Sequence, residues 1–267
     1  MAEEFLQAIH AAPRPLLLDN LRIPGSLTLA CLAPHPDDFD AIGVTMRRFR
    51  ENGNRIELGV VTSGASGVED AFCTNPSPAA KASIRELEQR ASCKFFGLPP
   101  EHLFFLHLDE DEDGHPLVSK ANIGRIKSFL TSKNPNVIVM PHGNDSNEGH
   151  RRTYRMVSEL MNELKLSLIA LLNRDPKTIA MRKDLFTIFK QADADWKAQL
   201  LRFHQSQQQR NLRTRQKGFD ERILSVNREM ALVLGQMEAY AEVFEIELYE
   251  GGFKSADLHS SPERSTL

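Results

Sequence analysis

The segment "LTLACLAPHPDDFDAIG", Leu27 to Gly43, runs an apolar strand into His35, Asp37 and Asp38. Two adjacent carboxylates repel each other unless a cation, a proton or solvent relieves them. A second polar cluster, "PHGNDSNEGH", Pro141 to His150, follows another apolar run, "NVIVM". His35, Asp38 and His150 together offer two imidazoles and one carboxylate, a donor set suited to a zinc ion with one position left open for water, other divalent metals being alternatives. The i, i+3 separation of His35 and Asp38 lets both turn to one side of a loop or a first helical turn. Asp37, left free, is then available to take a proton from the activated water. Each cluster also has an ordinary structural reading, the acid pair as a helix cap and "PHGND" as a turn. Their occurrence at two strand ends is what favours a site.

The elements that must position these residues follow from hydrophobic periodicity. "SLTLACLA", "RIELGVVT", "HLFFLHL" and "NVIVMPH" read as strands, separated by the helical segments "AIGVTMRRFRENG", "AAKASIRELEQRASCKFFG" and "ANIGRIKSFLTSKN". This alternation predicts crossover helices and an α/β, Rossmann-like three-layer fold with a mostly parallel sheet. Ligands of such sheets collect outside the carboxyl ends of the strands, so the clusters after the first and fourth strands are expected to converge. Beyond them, "HRRTYRMVSELMNELK" reads as a helix and "LSLIALLN" and "DLFTIF" as short strands. "DADWKAQLLRFHQSQQQR" and "FDERILSVNREMALVLGQMEAYAEVF" read as a C-terminal helical flank. The expected organisation is an N-terminal helix and connector over 1–26, a main domain over 27–250 and a polar, mobile tail over 251–267.

At 267 residues and 41% hydrophobic content the chain can bury one large core. A net charge of −3 gives no global attraction to nucleic acid or anionic membrane. The basic stretch "QSQQQRNLRTRQK" lacks interleaved aromatics, which leaves a small molecule as the expected partner and nucleic acid excluded. Cys31, Cys73 and Cys93 show no CxxC spacing, so neither a disulfide framework nor a thiolate zinc site is indicated, and Cys31 reads as a small core residue. The first ten residues lack the order of a signal peptide, and no apolar run approaches the ~20 residues that span a bilayer. A cytoplasmic protein with no membrane span is expected, with homo-oligomerisation left open.

Read in order, "APHPDDFDAIG", "VVTSGASG", "RELE", "DSNEGHRRTY" and "KAQLLRFHQSQ" resemble the segments A-H-P-D-D, T-x-G-x-x-G, R-x-x-E, D-x-H-x-D-H and K-x-x-x-L-x-x-H-x-S-Q of one family. That family is the PIG-L/LmbE-like zinc-dependent N-acetylglucosaminyl deacetylases. The resemblance implies His35, Asp38 and His150 as metal ligands, Asp37 as general base, and Arg85 as a contact to the sugar conjugate. From the residues alone, Arg85 reads as a surface helix arginine paired with Glu88 at i+3. The family's acid after the third strand falls on Asp109 or Asp113 within "LDEDEDG". Three positions depart from the pattern: Asn147 stands at a family histidine, Gly149 at the following aspartate, and Ala65 where a glutamate is frequent. Asparagine can donate a hydrogen bond to an oxyanion but cannot deliver a proton at neutral pH. His142 is the nearby candidate to compensate, while His204 and Gln207 belong either to the site rim or to a solvated helix face. The implied function is removal of acetyl from an N-acetylated amino sugar, an N-acetylglucosamine conjugate, by water activated through zinc and Asp37. The alternative is a catalytically weakened member that binds sugar conjugates.

Overall fold

The computed structural model describes residues 2–254. Its sheet is built on five parallel strands, β2 (Thr28–Ala33), β3 (Arg55–Val60), β4 (Leu103–Phe105), β5 (Val137–Pro141) and β6 (Leu168–Asn173). With β1 (Leu16–Leu17), β7 (Leu185–Phe189) and β8 (Tyr240–Glu250), the spatial order is β1-β7-β8-β6-β5-β2-β3-β4, and β9 (Phe253–Lys254) pairs with β8. The helices are α1 (Ala2–Ala11), α2 (Gly43–Glu51), α3 (Pro78–Phe96), α4 (Lys120–Lys133), α5 (Glu148–Glu163), α6 (Gln191–Arg202), α7 (Gln205–Arg215) and α8 (Phe219–Leu232).

The continuous apolar run of β2 is explained by burial on both faces. Leu29, Cys31 and Ala33 join Met46 and Phe49 of α2 and Cys93 and Phe96 of α3 in one core. Ala30 and Leu32 join Ile126 and Leu130 of α4 and Met156 and Leu160 of α5 in the other. The period-2 alternation thus feeds two helical layers, giving the expected three-layer α/β fold. Cys31 is buried as expected, and burial pushes its thiol far above the usual value. Helix punctuation is local: Ser77 caps α3 by accepting the Ala80 N–H at 3.1 Å, and Gly97, at φ 83°, ends it. No helix among the described residues is long and apolar enough to cross a membrane.

The C-terminal flank differs from the expectation. The helix predicted over 219–244 stops at Leu232, and Tyr240–Glu250 inserts as an antiparallel strand between β6 and β7. Its alternation is masked by Glu242, Glu245 and Glu247, which are buried yet partnered. Glu242 accepts the Val44 and Thr45 N–H groups at 3.0 and 2.7 Å and the Lys197 ammonium at 2.6 Å. Glu247 accepts the Tyr154 and Tyr249 hydroxyls at 2.9 and 2.8 Å. Buried acids with such partners keep a strand in the core while its sequence reads as amphipathic. The predicted helical stretch 193–210 also breaks, at Phe203–His204, into α6 and α7. Of the segment expected as a tail, residues 255–267 lie outside the described residues.

Candidate active site

The carboxyl end of β2 leads through Pro34 into a tight loop carrying His35, Asp37 and Asp38. Asp38 folds back on the loop: its Oδ2 accepts the His35 N–H at 2.8 Å and lies 3.1 Å from His35 Nδ1. Beyond β5, the adjacent strand, Asn147 caps α5 by accepting the Gly149 N–H at 2.9 Å, which brings His150 into the first helical turn. His150 Nε2 lies 3.6 Å from Asp38 Oδ1, and the two imidazole rings are 5.5 Å apart. One donor atom from each of His35, Asp38 and His150 falls within a 4.8 Å span.

The electrostatics of this cluster call for positive charge. Burial alone would raise the Asp38 carboxyl, but the His150 and His35 imidazoles outweigh it and hold it well below the usual carboxylate range. Burial alone would lower His150, yet the charge of Asp38 and the Asp145 carboxylate facing its ring push it up to about 10. A proton on His150 therefore does for the acids what a divalent cation would do. Asp145 lies behind this ring, its Oδ2 3.3 Å from His150 Nδ1, the arrangement of a carboxylate that orients a ligating histidine. The donor chemistry and the demand for charge fit a divalent metal at His35, Asp38 and His150. Asp145, His150 and Asp175 form a second group of close donors, but two of its carboxylates are engaged: Asp145 accepts the Asn147 N–H at 2.7 Å and Asp175 the Lys177 N–H at 2.8 Å.

Asp37 is held differently. It adopts φ 133°, a left-handed backbone conformation that costs a non-glycine residue of order 1–3 kcal/mol and persists where surroundings enforce it. Gln89 accepts its N–H at 3.0 Å, and Arg85 Nη2 lies 3.0 Å from its Oδ1. Burial raises its carboxyl above the usual value, with Arg85 opposing and Asp38 reinforcing. Arg85 is 1% exposed, so it is not the surface arginine that its sequence suggests. It does pair with Glu88, at 3.1 Å, but it also donates to the Pro36 carbonyl, and Glu88 in turn accepts the Ser206 N–H and hydroxyl at 2.6 and 2.8 Å. Gly64, at φ 64°, lets the following loop pass close by: a Cβ there would sit 2.9 Å from the Pro36 ring.

These residues open into a cavity of about 600 Å³, lined among others by His35, Asp37, Asp38, Arg85, Asn147 and Asp113. Of the two acids considered after β4, Asp113 lines it, whereas Asp109 is outside its lining and pairs with Arg125 at 3.1 Å. His142 is not brought to the cavity. Its Nε2 lies 3.2 Å from Glu245 and its Nδ1 accepts the Asn144 N–H at 2.9 Å, so both ring nitrogens are engaged elsewhere. His204 is neither rim nor solvated face: it is fully buried and bonded to Asp40. Gln207 does line the cavity and donates to the Gly67 carbonyl at 3.0 Å.

Residues 30–161 match the PIG-L family, described as GlcNAc-PI de-N-acetylase. Residues 30–161 thus form a PIG-L family segment. No curated protein matches it by sequence. Its fold resembles that of the N,N'-diacetylchitobiose deacetylase of Pyrococcus horikoshii, with a TM-score of 0.67 and 19% identity over 84% of each chain. It also resembles the zinc-inhibited form of the teicoplanin deacetylase Orf2, with a TM-score of 0.62 and 16% identity over 86% of this chain and 99% of that one. GalB, the 4-carboxy-2-hydroxymuconate hydratase of Pseudomonas putida KT2440, shares the architecture too, with a TM-score of 0.56 and 15% identity over 82% and 95%. One fold thus carries a hydratase as well as deacetylases, so the reaction must be argued from the site.

Sequence reasoning missed Gln89 and Asp145 as supports of Asp37 and His150. Gln89 sits four residues after Arg85 on one face of α3, and Asp145 five residues before His150. The i, i+4 spacing was the available signal for the first. Arg210, Arg215, Arg222 and Lys177 also line the cavity and had no signal beyond their charge.

Proposed function

We propose that this chain is a zinc-dependent N-deacetylase that hydrolyses the acetamide of an N-acetylated amino sugar, an N-acetylglucosamine conjugate, to acetate and a free amine. One observation carries the reading: three metal-type donors lie within 4.8 Å of one another, beside a separate carboxylate, Asp37, fixed by Arg85 at 3.0 Å. His35, Asp38 and His150 would hold the ion, with Asp145 orienting His150. Zinc bound there supplies a Lewis acid for the amide carbonyl and makes water a nucleophile near neutral pH. Asp37 accepts the proton of the attacking water and returns it to the departing nitrogen, so that one water is consumed per amide cleaved. Its burial-raised carboxyl suits both halves of that transfer. Asn147 spends its carbonyl on the helix cap, which leaves its amide N–H₂ as the group able to donate to the oxyanion.

Asn147 also favours a second reading, a sugar-conjugate binding protein without efficient turnover, because it cannot act as an acid. Metal analysis coupled to acetate release over a panel of N-acetylamino sugars separates the two. Zinc bound near one equivalent with turnover supports the enzyme, whereas zinc-replete protein that releases no acetate from any member removes it.

A further inference from the structure

The cavity holds Asp37, Asp38 and Asp175 at the candidate metal donors, with Asp113 and Glu148 elsewhere in its lining, and it also has a basic side. Helices α7 and α8 meet through the short turn after Arg215 and present Arg210, Arg215 and Arg222 to the same cavity. Among the described residues, none of these three guanidinium groups has a carboxylate within ion-pair distance. Their partners are neutral: the Gly67 carbonyl at 3.4 Å for Arg210, the Thr214 hydroxyl at 3.1 Å for Arg215, and Asn211 Oδ1 at 2.7 Å for Arg222. Arg213 of α7, which lies outside the cavity, has an anionic partner, and so has Arg202 at the end of α6. Arg213 makes a forked contact to Glu69 at 2.8 and 2.9 Å, and Arg202 meets Asp220 at 2.7 Å. Arg228 of α8, also outside the cavity, lies over the Tyr240 ring instead, so what sets Arg210, Arg215 and Arg222 apart is that the three gather at one cavity without an anionic partner.

We propose that Arg210, Arg215 and Arg222 form an anion subsite on the basic side of the cavity, and that the acetamido sugar taken there carries a phosphate. The sugar half rests on the deacetylase reading; the anion half rests on the three arginines alone. Three converging guanidinium groups are more than a carboxylate, with its single negative charge and two oxygens, can satisfy. A phosphate offers three acceptor oxygens and a charge near −2, which matches forked donors of this kind. The burial of Arg222 and the nearness of Arg215 and Arg210 hold its guanidinium below the usual range, while Asp175 and Asp37 pull it up, so the cluster and these acids share one field. That polarity orients the ligand: the acids at the metal donors repel the phosphate and the basic side attracts it, which directs the neutral acetamide toward the metal donors.

The test is titration calorimetry on zinc-loaded protein with N-acetylglucosamine 1-phosphate, the neutral methyl glycoside of N-acetylglucosamine, and N-acetylmuramic acid, which bears a carboxylate. Arg210→Gln, Arg215→Gln and Arg222→Gln are compared with wild type, and Arg213→Gln serves as the control outside the cavity. Charge-assisted hydrogen bonds of this class correspond to roughly tenfold to a hundredfold in affinity. The phosphorylated sugar should bind at least about tenfold tighter than the neutral one, and Arg222→Gln should remove most of that advantage while leaving the neutral sugar within about twofold. Added salt should narrow the gap. Equal binding of charged and neutral sugars, or equal loss of both in the variants with unchanged thermal unfolding, overturns the subsite. Equal affinity for the carboxylate overturns the assignment to phosphate. Acetate release measured in parallel keeps the two readings apart. Phosphate-dependent binding without turnover leaves the subsite standing and removes the deacetylase, whereas turnover with no charge preference does the reverse.

Discussion

Replacing Asp37 with asparagine isolates the proposed base more cleanly than most active-site changes, for reasons visible in the structure. The residue sits at φ 133°, where asparagine is tolerated about as well as aspartate and alanine is not. The substitution removes a negative charge 3.0 Å from the buried Arg85 guanidinium, but Glu88 remains 3.1 Å from the same group. Arg85 is therefore not stranded, and the 3–5 kcal/mol penalty of an uncompensated buried charge is avoided. What is lost is closer to one ordinary hydrogen bond, about 1 kcal/mol, and repulsion from Asp38 is relieved. Catalysis should suffer much more. General-base contributions of about 10²–10⁴ correspond to roughly 2.7–5.4 kcal/mol of transition-state stabilisation. Steady-state acetate release, bound-metal content and thermal unfolding should then show a large loss of kcat, unchanged metal and a small shift in Tm. Metal lost together with activity would place Asp37 among the ligands, and activity within about threefold of wild type would refute its role as base.

The supports of the site should be separable from its chemistry. Asp145→Asn should weaken metal affinity by about 10–100-fold, because the carboxylate 3.3 Å from His150 Nδ1 no longer fixes that ring; competition with a chelator reads this out, and unchanged affinity contradicts the role. Asn147→Ala should lower turnover modestly through a lost oxyanion hydrogen bond, while Asn147→His should raise it near neutral pH by restoring an acid; acetate release that is indifferent to both argues against position 147 acting on the reaction. Burial raises the Glu245 carboxyl, but His142 and Arg182 outweigh it and hold it below its ordinary value of 4.5. A carboxyl depressed in the folded state contributes stability that is present above the unfolded value and lost as pH falls through the folded one. Glu245→Gln should therefore flatten the fall of Tm below about pH 4.5. Parallel curves for variant and wild type would remove that linkage.

The metal-type donors were legible because each cluster is local to one strand end, and the topology of a parallel sheet brings adjacent strand ends together. What could not be read arrives from far along the chain. Gln89 reaches Asp37 across 52 residues, and His204 reaches Asp40 across 164, so that helix periodicity around His204 gave no hint of the break that buries it. The strand at Tyr240–Glu250 was hidden by its buried glutamates, whose partners come from α2, α5 and α6. The departures at positions 147 and 149 were visible as substitutions, but their connection was not. Asn147 accepts the Gly149 N–H as a helix cap, and a Cβ on residue 149 would stand 3.2 Å from both Asn147 Oδ1 and His35 Nε2. A side chain at 149 would crowd the asparagine cap and the His35 ring together. The two departures therefore meet in one corner beside His35. A histidine at 147 gives up the cap on the helix that carries His150, so the Asn147→His variant tests the chemistry only where its bound metal equals that of wild type.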